Sequence, residues 1–250
     1  MKRYKITMEY LGTNFRGWQK QKNNRSIQET FEKAAKELLQ EEVNSIVAGR
    51  TDAGVHASGQ VIHVDIKKKI NDVNLLMGLN FYLSKENYGT DVCVRAVKKV
   101  SKNFNARFSA TKKHYQYKIF NSNFRSPFHH SSTWWVRKRL DIDAMQRGSL
   151  ELIGDNDYSS FRAKGCQASS PIKSISKVDV KKKKDLIVID FFAKSFLYNQ
   201  VRIMVGTLKD VGVGYTKPLE IANILSKKNR KFAGVTAPAK GLTLKRVFYK

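Results

Sequence analysis

The residues best suited to chemistry lie in one short run, Gly49-Arg50-Thr51-Asp52-Ala53-Gly54-Val55-His56-Ala57. It sets one carboxylate, Asp52, two residues after a guanidinium, Arg50, among glycines that let backbone approach a ligand closely. Ser45-Ile46-Val47-Ala48 before it and Gly59-Gln60-Val61-Ile62-His63-Val64 after it read as strands, which makes the run a tight charged loop. An isolated aspartate in such a loop caps a turn. Here the chain carries 47 Lys and Arg against 21 Asp and Glu, a net charge of +26. A carboxylate on a protein that binds a polyanion repels phosphate unless a cation neutralises it or it acts on the substrate. Arg50 and Arg202 are the candidate cations, and an arginine pair keeps Asp52 ionised at neutral pH, as a nucleophile or base requires. A glycoside hydrolase needs two carboxylates flanking one bond, and the nearest, Asp65, stands at the far end of the following strand. One carboxylate suits an isomerisation that adds no water and has no external leaving group.

Two further segments bear on chemistry. Lys112-Lys113-His114-Tyr115-Gln116-Tyr117-Lys118-Ile119 interleaves bases with aromatics, and Tyr115 and Tyr117 share a strand face. Such tyrosines either pack the core or offer a ring to a splayed base, a stack worth ~1–3 kcal/mol. Ser195 to Gly206 opens a helix with Val201, Val205 and Leu208 on its apolar face and Arg202 near its start. His56 and His63 lack any metal-binding pattern around them, and His129-His130 lies in a Phe-flanked loop. Gly212-Val213-Gly214 lacks the context of a phosphate loop and reads as a helix terminus. No metal and no cofactor are expected.

A pI near 10.1 implies a polyanionic partner, either nucleic acid or an anionic membrane. The membrane would need a basic amphipathic helix or a lipidation site, and the sequence shows neither. Lys67-Lys68-Lys69 and Lys181-Lys182-Lys183-Lys184 read as solvent-facing strand ends and turns. Hydrophobic residues make up 41% of the 250, enough for a real core. Mean hydropathy is −0.47, and no stretch approaches the roughly 20 apolar residues that span a bilayer. The opening Met1-Lys2-Arg3-Tyr4-Lys5-Ile6 has no apolar region of a signal peptide behind it. Cys93 and Cys166 read as two reduced thiols of a cytoplasmic protein.

To position the Asp52 loop, the sequence supplies a strand with alternating Tyr4, Ile6, Met8 and Tyr10. A helix follows from Ser26 to about Gln40, opened by a Ser26–Glu29 capping box. Next come strands over 45–49 and 59–66, a helix over 71–83 and a strand over 91–100. Ser101 to Thr111 reads as a linker. The same order then recurs: strand 114–121, helix 141–153, strands 175–182 and 186–193, helix 197–211 and strand 242–249, with an extra helix at 218–226. This predicts an α+β protein of two ferredoxin-like subdomains, each a split β-α-β unit, with antiparallel sheets joined edge to edge. Residues 1–105 would carry the aspartate loop and 106–250 the Tyr115 strand and Arg202 helix.

The ordered set of motifs resembles the TruA family of tRNA pseudouridine synthases. The resemblance runs through Gly17-Trp18-Gln19, Ser26-Ile27-Gln28-Glu29, the Asp52 loop and Ala106-Arg107-Phe108-Ser109-Ala110. It continues through Tyr115, Asp157-Tyr158-Ser159-Ser160-Phe161, the Phe196–Arg202 block and the closing Gly241-Leu242-Thr243-Leu244. It implies the pseudouridine synthase fold, with Asp52 as catalytic aspartate, Tyr115 in contact with the target uridine, Arg202 reaching the aspartate and Leu244 packed near the uracil. It also implies cofactor-free isomerisation of uridines 38–40 in the tRNA anticodon stem-loop by a homodimer. Gln200 stands where many members have methionine, and Thr243 where an aromatic is common. The alternatives are a non-catalytic RNA-binding or ribosome-associated protein, which leaves Asp52 unexplained, and a metal-dependent nuclease, which lacks its carboxylate cluster.

Overall fold

Ser26 starts the first helix as its spacing requires. Its Oγ accepts the Glu29 N–H at 3.2 Å, and α1 runs Ile27–Leu39 with Ile27, Phe31, Ala34, Ala35 and Leu39 buried. Gln40 closes it in the left-handed region, at φ +57°. The computed structural model describes residues 1–86 and 89–250. They divide into two compact units, Met1–Thr111 with Leu244–Lys250, and Lys112–Thr243.

The first unit contains β1 (Lys2–Tyr10), α1, β2 (Ile46–Val47), β3 (His56–Ile66), α2 (Asp72–Lys85) and β4 (Val92–Val100). β1 pairs antiparallel with β3, Tyr4 opposite Val64 and Ile6 opposite Ile62, and antiparallel with β4. β2 pairs antiparallel with β3. The strand order is β4-β1-β3, and the last strand, β10 (Leu242–Tyr249), is also a neighbour of β3. The period-two pattern of β1 buries Tyr4, Ile6, Met8 and Tyr10, as read from the sequence. Asn71 caps α2 by accepting the Asn74 N–H at 2.7 Å, and Leu75, Leu79 and Leu83 are its buried face.

The segment read as a linker is packed into this unit. The Ala106 N–H donates to His63 Nδ1 at 3.1 Å, and the Ala106 carbonyl accepts the Tyr249 hydroxyl at 2.8 Å. Phe104 meets both the His63 and the Tyr249 rings, at centroid distances of 6.2 and 5.0 Å.

The second unit contains β5 (Ala110–Asn121), β6 (Trp134–Val136), α3 (Ile142–Leu150), β7 (Gly154–Asp157), β8 (Ile172–Lys183), β9 (Leu186–Ala193), α4 (Gln200–Val213) and α5 (Glu220–Ser226). Its strands run in the order β5-β9-β8-β7. Those three pairings are antiparallel, with Tyr115 opposite Phe191 and Tyr117 opposite Ile189. β6 breaks the expected all-antiparallel pattern: it pairs parallel with β5, Ile119 opposite Trp134. Residues 122–133 double back along β5 before β6 begins, so the two strands run in the same direction rather than forming a hairpin. Phe191, Ile203, Met204, Val205 and Leu208 are fully buried, and α4 packs against α3. Among the described residues no helix is long and apolar enough to cross a membrane.

Candidate active site

The Asp52 loop leaves β2 and enters β3, and its main chain is pinned from two directions. From the segment after β1, Trp18 N–H donates to Thr51 O at 3.0 Å and Gly54 N–H donates to Phe15 O at 3.2 Å. From the strands below, Tyr10 and Thr51 share a hydroxyl hydrogen bond of 2.8 Å. Gln60 Nε2 donates to Tyr10 Oη at 3.1 Å and to Gly49 O at 2.9 Å. Burial pushes the Tyr10 hydroxyl up to about 12, against the opposing pull of these hydrogen bonds, so it stays a neutral phenol. A polar triplet of Tyr10, Gln60 and Thr51, all buried, therefore sets the height of the loop.

Within the loop, Val55 N–H donates back to Asp52 O at 3.1 Å, closing a β-turn. Gly54 has φ +76°, the positive angle a type II turn requires at its third position. Gly17 has φ +93°, and a Cβ there would stand 2.7 Å from Thr51 O. Glycine is what lets the two segments touch. Asp52 thus opens a turn held by backbone, with its side chain half-buried. At the start of β3, His56 Nδ1 accepts the Gly12 N–H at 3.0 Å. Both His56 and His63 use Nδ1 as an acceptor from backbone and so carry their proton on Nε2.

Arg50 is exposed in the same loop, and Leu244 is fully buried on β10 in the same unit. Tyr115 and Arg202 belong to the second unit. Tyr115 sits on β5 with 8% of its surface exposed and meets the Phe196 ring edge-on at 5.3 Å. Tyr117 is fully buried and donates its hydroxyl to Pro238 O at 2.7 Å. Arg202 is the third residue of α4. Its Nε donates to Ala237 O at 2.8 Å and its Nη1 to Asn199 Oδ1 at 2.7 Å. Asn199 reaches that position from the left-handed region, φ +58°. The buried Gln200 braces the same turn, its Oε1 accepting Leu197 N–H at 2.7 Å. Asp65, the next carboxylate after Asp52, is committed elsewhere. The Arg3 guanidinium holds it at 2.8 and 2.7 Å and keeps it below the usual carboxylate range.

The sequence reading singled out Asp52, Arg50, Tyr115, Arg202 and Leu244 but not their supports. Tyr10 reads as core from its alternation, and Gln60 as one polar residue in an apolar strand. That last oddity is the signal that could have flagged it, since a buried amide demands partners.

The chain is similar to known proteins over its whole length. The family described as tRNA pseudouridine synthase matches residues 6–109 and 149–250. A tRNA pseudouridine synthase A of Anaplasma phagocytophilum is 44% identical over 249 residues, covering 99% of this chain and 100% of that protein. The protein of the same name from Bartonella quintana is 40% identical over 249 residues, with 100% of both covered. That of Buchnera aphidicola is 42% identical over 243 residues, covering 97% of this chain and 90% of that one.

Proposed function

The chain belongs to the tRNA pseudouridine synthase family and isomerises uridine to pseudouridine in tRNA, and we propose that Asp52 is the carboxylate that drives the reaction. The uracil N1–C1′ bond breaks, the base turns while bound, C5 bonds to C1′, the C5 proton leaves to solvent and N1 takes a proton up, so that the atoms balance. No water is added, so a single carboxylate suffices. Attack on the sugar, attack on the base and removal of a sugar proton all begin from an ionised Asp52. The observation that carries the reading is the Asp52 turn itself, a half-buried carboxylate whose backbone is fixed from two sides.

In this reading Arg50 and Arg202 supply positive charge, Tyr115 supports the extracted base and Leu244 packs beside it. The targets are uridines 38–40 of the anticodon stem-loop, in the cytoplasm. Those that are paired must be taken out of the stem first. Each unit is ferredoxin-like in this reading, a view supported in the first by its antiparallel β4-β1-β3 core with β2 beside β3.

A second copy of the chain completes the enzyme, and α2 suits that contact. Val73, Met77 and Phe81 recur at four-residue spacing and are each more than half exposed. No charged residue lies between Asp72 and Lys85, although 27% of the chain is charged. Such a face offers nothing to phosphate and lets two chains of +26 meet about a two-fold axis without opposing like charges.

Incubation with total tRNA followed by nucleotide-resolution pseudouridine mapping tests the function. Pseudouridine at 38–40 is expected. RNA binding without any pseudouridine would favour the non-catalytic alternative.

A further inference from the structure

The loop 122–133 between β5 and β6 lines, together with Phe120, Trp134, Trp135, Pro238 and Lys240, a cavity of about 240 Å³ that none of the proposed catalytic residues lines. Its walls are aromatic. The Phe120 and His129 rings stack at 4.9 Å, 29° from parallel. Trp135 faces the Arg125 guanidinium, which lies 4.8 Å from its ring centroid. The walls are also fixed in place. Trp135 Nε1 donates to Ser122 O at 2.9 Å, and Thr133 Oγ1 donates to His129 O at 2.6 Å. Arg125 and His130 are exposed at the rim. Phe124 and Phe128, on the same loop, are 81% and 92% exposed, which no packing role explains. From Ser122 to Leu140 the sequence has no acidic residue but includes Arg125, Arg137, Lys138 and Arg139.

Flat rings lining a cavity too small for a folded partner, with cations and no carboxylate on the surrounding segment, match one ligand chemistry: a planar base with its phosphate. An apolar ligand would make no use of the exposed Arg125 guanidinium at the rim, and an acidic peptide would make none of the ring walls. We propose that this cavity is a second RNA subsite, which takes one unstacked nucleotide of the tRNA other than the uridine being isomerised. The base enters between the aromatic walls, and Arg125 and His130 hold the adjoining phosphate. The proposal rests on the tRNA-modifying reading above. It adds a contact that fixes the register of the tRNA without touching the reacting atoms.

The test uses tRNA transcripts carrying 4-thiouridine, irradiated on the full-length protein, with crosslinked peptide and nucleotide both mapped. Steady-state kinetics of Arg125→Ala, His130→Ala and the double variant run alongside. Both side chains are exposed, so the variants keep the fold, which melting curves check. The expected result is a crosslink from 122–135 to a nucleotide other than the isomerised uridine. The double variant should show a KM for tRNA raised about tenfold, the scale of a lost hydrogen bond to a charged phosphate, with kcat unchanged. An unchanged KM in the double variant, or a crosslink confined to the isomerised uridine, overturns the subsite. If the wild-type protein makes no pseudouridine, the functional reading fails instead. The tRNA affinities of the same variants then still decide the cavity.

Discussion

Tyr117 and Arg202 hold adjacent carbonyls of one segment, the tyrosine hydroxyl donating to Pro238 O at 2.7 Å and the arginine Nε to Ala237 O at 2.8 Å. The Ala237 N–H returns the contact by donating to Arg202 O at 3.1 Å. A strand residue and a helix residue thereby clamp the same dipeptide. Burial drives the Tyr117 hydroxyl well above its ordinary pKa, and the Arg202 charge only partly offsets this, so the phenol remains a donor at every working pH. The clamp also sets the plane of the Arg202 guanidinium before any substrate arrives, with Asn199 fixing its other edge.

Replacing Arg202 with lysine should therefore affect two readouts. An ammonium cannot span Ala237 O and Asn199 Oδ1 together, and losing one or both hydrogen bonds should cost about 1–3 kcal/mol of stability. Turnover should fall further than the lost folded fraction accounts for, because the charge is also displaced. Normal specific activity of the folded fraction, measured beside a thermal melt, would reduce Arg202 to a structural residue.

Asp52→Asn preserves shape and removes charge. Single-turnover tritium release from C5-labelled tRNA should fall by about 10²–10⁴-fold or more, the scale of losing a positioned proton-transfer or nucleophilic group. Affinity for tRNA should hold or rise slightly, since phosphate contacts dominate binding and a repelling charge is gone. Wild-type release rates would remove Asp52 from the chemistry.

Gly17→Ala probes the loop's support from a distance. The new methyl would meet Thr51 O at 2.7 Å from a backbone angle of +93°. The strain should cost about 1–3 kcal/mol. A shift of Thr51 by a fraction of an ångström carries into Asp52, so kcat should drop by up to about 100-fold. A melt and a kcat both within error of wild type would show that the two segments can separate without consequence.

Acid should weaken the first unit through His63. Burial lowers the His63 pKa, the nearby Arg3 lowers it further, and Asp65 opposes them. A folded pKa below the unfolded value means that, as pH falls through about 6.5, the unfolded chain takes up the proton first. Stability is therefore full above that point and declines as pH drops toward the folded pKa. His63→Gln keeps an acceptor for the Ala106 N–H but does not titrate. Between pH 7.5 and 5.5 the wild-type melting temperature should fall more than that of the variant. Equal losses would assign the acid sensitivity to other groups.

Local signals made much of the molecule legible. Ser26, Asn71 and Asp141 each cap a helix where a polar residue precedes an apolar period, and β9 and β10 occupy the ranges their patterns suggest. β7 did not announce itself, because Gly154-Asp155-Asn156-Asp157 has no strand propensity and becomes a strand only through its pairing with β8. β6 is three residues long and depends on β5 in the same way. At the site, the Asp52 run was readable as a block, but its fixings were not. Gly12 and Ala106 each lie more than forty residues from the histidine whose Nδ1 they engage, and Tyr10 is equally remote from Thr51. Periodicity assigns a face to such residues and says nothing about which polar atoms will meet on it.

The return of Leu244–Lys250 to the first unit bears on how the protein is made. Gly59 lies so close to Lys245 that a Cβ there would stand 2.4 Å from its carbonyl oxygen, and Tyr249 secures Ala106. A ribosome delivers residues 1–111 first, yet it must then synthesise all of Lys112–Thr243 before the strand that completes β3's surroundings emerges. The unit that bears Asp52 is begun before the other and completed after it. Until translation reaches the closing strand, the part of β3's edge beyond β2 and the aromatic seat for Tyr249 stay open, a half-built state in which nascent chains are exposed to mispairing and to chaperones. A break in the chain before β10 would thus damage the unit made earlier.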